Sequence, residues 1–449
     1  MEKKNTWETY SSKQLKELEK INAQYRDFLD NGKTERECID TIVNTIEKSG
    51  YRELESLIKE GAALKTGDKV YSVWMNKSIA MFQIGRKPMT DGMNILGAHI
   101  DSPRLDVKQN PLYEDGGFAY LDTHYYGGVK KYQWVTIPLA IHGVIVKKDG
   151  TCVEINIGEN EDDPVFFVSD LLIHLAQEQL EKKAAKVIEG EALDIIVGNK
   201  PLLIDKKDKK KDEKEAGKEA VKAGVLDILK ETYDIHEEDF VSAELEIVPA
   251  GKAREAGFDR SMTLAYGQDD RVCAYTSMQA MLDSDVTDRT MCCILVDKEE
   301  IGSVGATGMQ SHFFENAVAE VMNLAGEYSE LNVRRCLAHS CMLSSDVSSA
   351  FDPAYASSFD KKNVAYLGGG MVINKFTGAR GKSGSNDANA EYLAHLRHIF
   401  DKAEVNFQTA ELGKVDLGGG GTIAYILALY GMNVIDSGVP VLNMHAPWE

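Results

Sequence analysis

Hydrophobic residues recur along the chain at two different periods, and the change of period divides it. Ile39, Ile42, Val43 and Ile46 fall at helical spacing behind a T-x-x-E capping box at Thr34 and Glu37, and Gly50 closes the segment. The first fifty residues therefore read as helices. Two strand-like runs follow, KVYSVWMN from Lys69 and SIAMFQIG from Ser78, with a hairpin expected at Asn76-Lys77. A third run, NILGAHID from Asn94, is apolar until it ends in polar residues. From Val107 to about Ala256 aromatic and β-branched stretches dominate, as in YQWVTIPLAIHGVIV from Tyr132. After Gly257 strands alternate with helices. MCCILVD from Met291 and RRCLAHSCMLSSD from Arg334 read as strands, GTIAYILALYG from Gly421 as an apolar helix, and VPVLNMH from Val439 as a last strand. Such alternation predicts an α/β domain. It would be built from residues 1–106 and 257–449, with 107–256 inserted into it.

Composition narrows the classes. The 449 residues hold 51 Lys and Arg against 71 Asp and Glu, a net charge of −20. That excess of acid argues against a nucleic-acid partner and against an anionic membrane surface. The lysine-rich run KKDKKKDEKEAGKEA from Lys206 carries interleaved acids, so it reads as an exposed, mobile loop. Seven cysteines show no CxxC pair, which suits a reduced compartment. MEKKN at the start has no apolar core behind it, and no window reaches the roughly 18 apolar residues of a membrane span. A cytoplasmic location is expected.

Three suggestive motifs fail on spacing. Gly302, Gly305 and Gly308 do not form GxGxxG. Gly381-Lys382-Ser383 would need a glycine where Phe376 stands to make a P-loop. Cys336 and His339, read on one strand with Cys341, would face opposite ways. A different set converges better. Polar clusters terminate apolar runs at His99-Ile100-Asp101, Gln268-Asp269-Asp270, Asp297-Lys298-Glu299-Glu300, Ser344-Ser345-Asp346 and Asn443-Met444-His445. Strand ends are where α/β sheets build sites. Two histidines and several carboxylates make the inventory of a two-metal hydrolase. With His99, Asp269, Glu300, Asp346 and His445 as ligands, three carboxylates and a hydroxide balance two divalent ions, whereas without metal the carboxylates would repel. Mixed imidazole and carboxylate donors suit Zn²⁺, with Mn²⁺ or Co²⁺ as substitutes. In His99-x-Asp101 the aspartate can orient the imidazole. Of the adjacent Glu299 and Glu300, one can bind metal while the other takes a proton from metal-bound water.

GAHIDSPRLD, YGQDDRVCAY, DKEEIGS, SSDVSSAFDP and NMHAPWE, in this order, resemble the M18 family of metallo-aminopeptidases, from about Ile46 onward. The resemblance implies a mixed-sheet α/β zinc peptidase domain interrupted by a β-rich dimerisation domain. It implies two Zn²⁺ per subunit, with Asp269 bridging, His99 and Asp346 completing one site, and Glu300 and His445 the other. Glu299 would be the general base, activating a metal-bound water, and Asp101 would orient His99. His174, in SDLLIHL, would be offered to a neighbouring subunit's site, in dimers that build a tetrahedral dodecamer. The expected reaction is removal of N-terminal residues from peptides. The competing readings are another dizinc amidohydrolase, a carboxypeptidase or deacylase, and a metal-binding scaffold without turnover. Two departures bear on specificity. Ser349 stands where the eukaryotic aspartyl aminopeptidases carry a histidine, and Val372-Ile373-Asn374-Lys375 displaces their lysine by one position. Lys375, Arg380 and Lys382 remain candidates for an electropositive pocket.

Overall fold

A computed structural model describes residues 5–202 and 219–449; the lysine-rich run from Lys206 to Lys218 lies outside the described residues. Among the described residues nine strands form one mixed sheet, in the order Arg52–Glu53, Lys69–Trp74, Ser78–Gln83, Met291–Val296, Asn94–His99, Cys341–Ser345, Asn433–Gly438, Met371–Asn374 and Phe407–Thr409. The central four, Met291–Val296 to Asn433–Gly438, run parallel. The hairpin joining Lys69–Trp74 to Ser78–Gln83 turns through Met75 and Asn76, both in the left-handed region at φ 50° and 53°.

Period-two alternation sorts side chains onto the sheet's two faces. Ala80, Phe82 and Ile294 pack on one face against helices Phe313–Leu324, Glu330–His339 and Ala424–Ala428. Ile79, Met81, Cys293 and Leu295 pack on the other against Ser12–Asp30, Glu35–Glu47 and Gln268–Asp283. Both faces are covered, which is why Ser78–Gln83 and Met291–Val296 are buried throughout. The capping box at Thr34 and Glu37 is formed, and helix Glu35–Glu47 buries Ile39, Ile42 and Ile46.

Three expectations need correction. The run from Arg334 is not one strand. Its first half belongs to helix Glu330–His339, which Ser329 caps through the Asn332 N–H, and which buries Val333, Cys336 and Leu337 at helical spacing. Only Cys341–Ser345 is strand. The helix from Gly421 shortens to Ala424–Ala428. Gly431, at φ 82°, then turns the chain into strand Asn433–Gly438. The run from Val439 contributes only Pro440–Val441, because a proline has no N–H to give a ladder.

A second sheet is wholly antiparallel, ordered Cys152–Ile157, Leu139–Val146, Ala243–Pro249, Arg104–Asp115, Phe118–Tyr126 and Ile195–Gly198. Its core holds Trp134, Leu139, Leu193 and Ile247, each fully buried. Buried charge joins it to the first sheet's helices. Arg104 donates from its guanidinium to Glu35 at 2.5 Å and from Nε to Asp106 at 2.7 Å, approaches Glu246 at 3.2 Å, and lies over the Tyr126 ring at 3.9 Å. Lys33 donates to Glu159 at 2.6 Å and to the carbonyls of Pro249 and Gly251, each at 2.8 Å. Burial works against ionisation of Glu35, but Arg104 outweighs it and holds the carboxyl at about 2, below its ordinary 4.5.

Removing one partner of a buried pair strands the other. Arg104→Met should therefore destabilise the protein by about 3–5 kcal/mol in urea denaturation at neutral pH. Because Glu35 titrates low in the fold, the stability its ionised form contributes is present above pH 4.5 and is lost as pH falls towards about 2, so the gap between variant and wild type should narrow over that range.

Candidate metal centre

The parallel strands deliver the candidate side chains to one edge, their carboxyl ends. His99 is the last residue of Asn94–His99. Glu299 and Glu300 lie just past Met291–Val296, in a short 3-10 turn entered through Lys298 at φ 69°. Asp346 follows Cys341–Ser345 directly. Asp269 lies at the start of helix Gln268–Asp283, which packs across Asn94–His99. His445 arrives on the irregular segment after Pro440–Val441, itself at φ 66°.

These elements bring the side chains together as two clusters that share one residue. The ligand atoms of His99, Asp269 and Asp346 lie within 4.8 Å of one another, as do those of Asp269, Glu300 and His445. Asp269 is buried between two imidazoles: His99 Nε2 stands 3.2 Å from its Oδ1, and His445 Nε2 stands 3.2 Å from its Oδ2. His445 Nε2 is also 3.4 Å from Glu300 Oε1. Glu299 reaches to 3.9 Å from His99 Nε2 and joins neither cluster.

Asp101 organises this geometry. Its Oδ1 and Oδ2 accept the Glu299 and Glu300 backbone N–H groups, each at 3.1 Å, and Tyr126 donates its hydroxyl to Oδ2 at 2.8 Å. His99 Nδ1 lies 2.9 Å from the Asp101 carbonyl and 3.2 Å from Oδ1, which orients the ring so that Nε2 faces the clusters. The inserted sheet contributes a second anchor: the Gly128 carbonyl lies 2.9 Å from His445 Nδ1. Gly127 adopts φ 74°, a conformation that favours glycine, and a Cβ there would sit 3.3 Å from Glu300.

The residues fit a pair of divalent cations. Asp269 Oδ1 and Glu300 Oε1 are buried without an aligned hydrogen-bond donor. Burial, then the neighbouring acids, pushes the Asp346 and Glu300 carboxyls well above the carboxylate range. Burial likewise raises Glu299 to about 7. Asp269 stays at about 2 against burial because His445 and His99 favour its charge. Protons alone balance so many gathered acids poorly, and cations held by imidazole nitrogen and carboxylate oxygen balance them well. Among the described residues no other such cluster forms. Cys336 is buried within its helix, and His339 turns to the Thr90 carbonyl at 2.8 Å.

A cavity of about 520 Å³ opens beside the clusters, walled by Asn374, Thr377, Leu412, Thr422, Tyr425 and Asp436 among others. The expected electropositive pocket is not part of it. Lys375 and Lys382 both pair with Asp387, and Arg380 does not line the cavity. His174 sits in the turn Ile173–Leu175, away from this chain's own cavity.

Sequence reasoning missed Glu449. Its two carboxylate oxygens accept the Asp269 N–H at 2.7 Å and the His445 N–H at 2.9 Å, and its own backbone pairs with Ala265 in both directions. Ser102 adds a bond to the Asp269 carbonyl at 2.6 Å. The one signal for Glu449 was an acid four places after His445 in NMHAPWE.

A mixed sheet carrying paired histidine and carboxylate clusters at the ends of its parallel strands defines a metallopeptidase. Residues 28–449 match the family described as aminopeptidase I zinc metalloprotease (M18). A probable M18 family aminopeptidase 1 of Clostridium acetobutylicum is 63% identical over 448 residues, covering 100% of this chain and 94% of the relative. The crystal structure of an M18 aminopeptidase from Thermotoga maritima superposes with TM-score 0.92 at 43% identity, over 100% of this chain and 95% of that one. That of aminopeptidase I from Clostridium acetobutylicum gives 0.90 at 60% identity, with the same coverage. The chain belongs to the M18 family: it is a zinc metallopeptidase that hydrolyses N-terminal residues.

Because Glu449 fixes the backbone beneath two candidate ligands, Glu449→Ala should weaken zinc binding by about 10–100-fold in competition with a chromophoric chelator. Glu449→Gln, which keeps one acceptor oxygen, should recover part of the loss.

Proposed function

We propose that the two clusters hold two Zn²⁺ per subunit, His99 and Asp346 around one, His445 and Glu300 around the other, and Asp269 shared between them. Mn²⁺ or Co²⁺ would be accepted in their place. The observation that carries this reading is the buried Asp269, with each oxygen 3.2 Å from a different histidine nitrogen. When bound, zinc supplies a Lewis acid for the scissile carbonyl and lowers the pKa of water.

The chain's own groups do the rest. Glu299 stands beside the clusters without joining them, and Asp101 holds its backbone N–H at 3.1 Å. It takes the proton of the attacking water and passes it to the leaving amine. Asp101 keeps the His99 ring oriented with Nε2 turned to the metal. A carboxylate of the clusters receives the substrate's free amine, which confines cleavage to the first peptide bond.

Residues 1–106 and 257–449 form the catalytic domain in this reading, and 107–256 the dimerisation domain. The protein assembles with copies of itself, as dimers building a tetrahedral dodecamer. A yeast relative, 19% identical with TM-score 0.74, has been solved as a dodecamer. Leu171, Leu172, Ile173 and Leu175 are exposed on the inserted segment, an apolar run that a neighbouring copy would cover. His174 lies within that run and in this reading would reach the neighbour's site. The reading is of a cytoplasmic peptidase acting on peptides, with no nucleic-acid or membrane partner; among the described residues no helix is long and apolar enough to cross a membrane.

Glu299→Gln should keep its zinc content by metal analysis while kcat falls about 100-fold or more, the scale of a lost general base. Unchanged turnover would remove the assigned role. Chelation should abolish hydrolysis and added zinc restore it. A peptide with an acetylated N-terminus should resist cleavage; its hydrolysis at the rate of the free peptide would indicate a deacylase or carboxypeptidase instead.

A further inference from the structure

His142 stands in strand Leu139–Val146 of the second sheet and is 1% exposed, yet its ring meets an acid at each nitrogen. Nδ1 lies 2.7 Å from Glu37 Oε1, on helix Glu35–Glu47. Nε2 lies 3.1 Å from Glu159 Oε1, just past strand Cys152–Ile157. A carboxylate accepts hydrogen bonds and gives none, and a neutral imidazole has a single N–H to give. A neutral ring would therefore set a lone pair against an oxygen at one of the two contacts, a costly mismatch in the interior.

Both acids are already committed as acceptors. Glu37 Oε2 accepts the Lys33 and Thr34 backbone N–H groups at 3.0 and 3.1 Å, and Oε1 also accepts the Asn156 amide at 3.3 Å. Glu159 Oε1 accepts the Lys33 ammonium at 2.6 Å, and Oε2 the Gly251 N–H at 3.3 Å. The other charged groups around the ring are engaged elsewhere. Glu246, the register partner of His142 on strand Ala243–Pro249, approaches Arg104 at 3.2 Å. Glu244 on the same strand pairs with Arg36 and Lys77, and Asp30 accepts the Ala253 N–H at 2.6 Å. With both ring protons in place, His142 and Lys33 balance Glu37 and Glu159 charge for charge. Without the second proton, one buried negative charge is left over.

We propose that His142 is a pH-sensitive latch between the second sheet and helix Glu35–Glu47: as an imidazolium it donates to Glu37 and Glu159 together, and loss of one ring proton at alkaline pH releases the joint. The same sheet sends the Tyr126 hydroxyl to Asp101 and the Gly128 carbonyl to His445, so release of the joint reaches the metal-binding clusters. Burial opposes the charge on the ring, but the hydrogen bonds to Glu159 and Glu37 outweigh it and raise the imidazole above its ordinary 6.5. The stability contributed by the latch is therefore fully present below pH 6.5 and is lost as pH rises through the raised value. Lys33, which burial holds below its ordinary 10.5, is kept in every protein compared below.

The test unfolds the zinc-loaded wild type, His142→Gln and Glu37→Gln in urea from about pH 6.5 to about pH 9, at one protein concentration. Glutamine does not titrate, so the wild type should exceed His142→Gln most near pH 6.5. The ratio of their unfolding constants should then close by about tenfold for each pH unit until His142 loses its proton. Glu37→Gln keeps an acceptor oxygen for the capping box and can turn its amide N–H towards Nδ1, so a neutral ring satisfies both neighbours. Its stability should fall less with pH than that of the wild type, by the same factor of about ten for each pH unit. Zinc loss to a chelator should likewise accelerate with pH more steeply in the wild type than in Glu37→Gln. A gap between wild type and His142→Gln that stays constant with pH overturns the latch, as does a wild-type slope retained in Glu37→Gln. Equal pH dependence of zinc loss in wild type and Glu37→Gln overturns its reach to the metal-binding clusters. If His142→Gln does not fold, wild type against Glu37→Gln decides.

Discussion

Asp269 lies between His99 and His445 in an interior where its Oδ1 finds no aligned donor. A carboxylate in that position is stable only with positive charge on both sides of it. Much of the rest of the molecule serves this one requirement. Three parallel strands stop at a common edge so that His99, Glu299, Glu300 and Asp346 reach the same space, and a helix crossing that edge sets Asp269 among them. Asp101 accepts the Glu299 and Glu300 backbone N–H groups and Glu449 those of Asp269 and His445, which fixes these residues without occupying their side chains.

The part of this that can be read from the sequence is the part written in local pattern. Apolar runs that end in His-x-Asp, Lys-Glu-Glu or Ser-Asp announce strand ends, and strand ends in a parallel sheet share an edge. The family motifs then assign each residue an expected role. Long-range pairing is invisible. Nothing in Glu35 or Arg104 marks them as partners, since a charged residue reads as surface until the fold buries it. Glu449 looks like any acid in an irregular tail. Asp436 is hidden because it follows an apolar run that carries a helix, Ala424–Ala428; it stands on strand Asn433–Gly438, which is buried from Val434 onward. The helix Glu330–His339 passes for strand because its apolar residues run almost directly into the strand Cys341–Ser345, although the Ser329 cap marks its start.

The second sheet is also tied to the metal-binding clusters. Tyr126, at the end of its strand Phe118–Tyr126, donates to Asp101, and the Gly128 carbonyl just beyond meets His445. The buried contacts of Arg104 and Lys33 hold the same sheet against the helices of the catalytic sheet. The position of the second sheet is thereby tied to both histidines, through Asp101 to His99 and directly to His445.

The clustered side chains also impose an order in time. His99 comes first in the chain, Asp269, Glu300 and Asp346 in turn, and His445 follows them all. Until then the acids already gathered lack one of the imidazoles that balance them. A chain made only as far as Asp346 thus holds the acids without the second imidazole that stands beside Asp269.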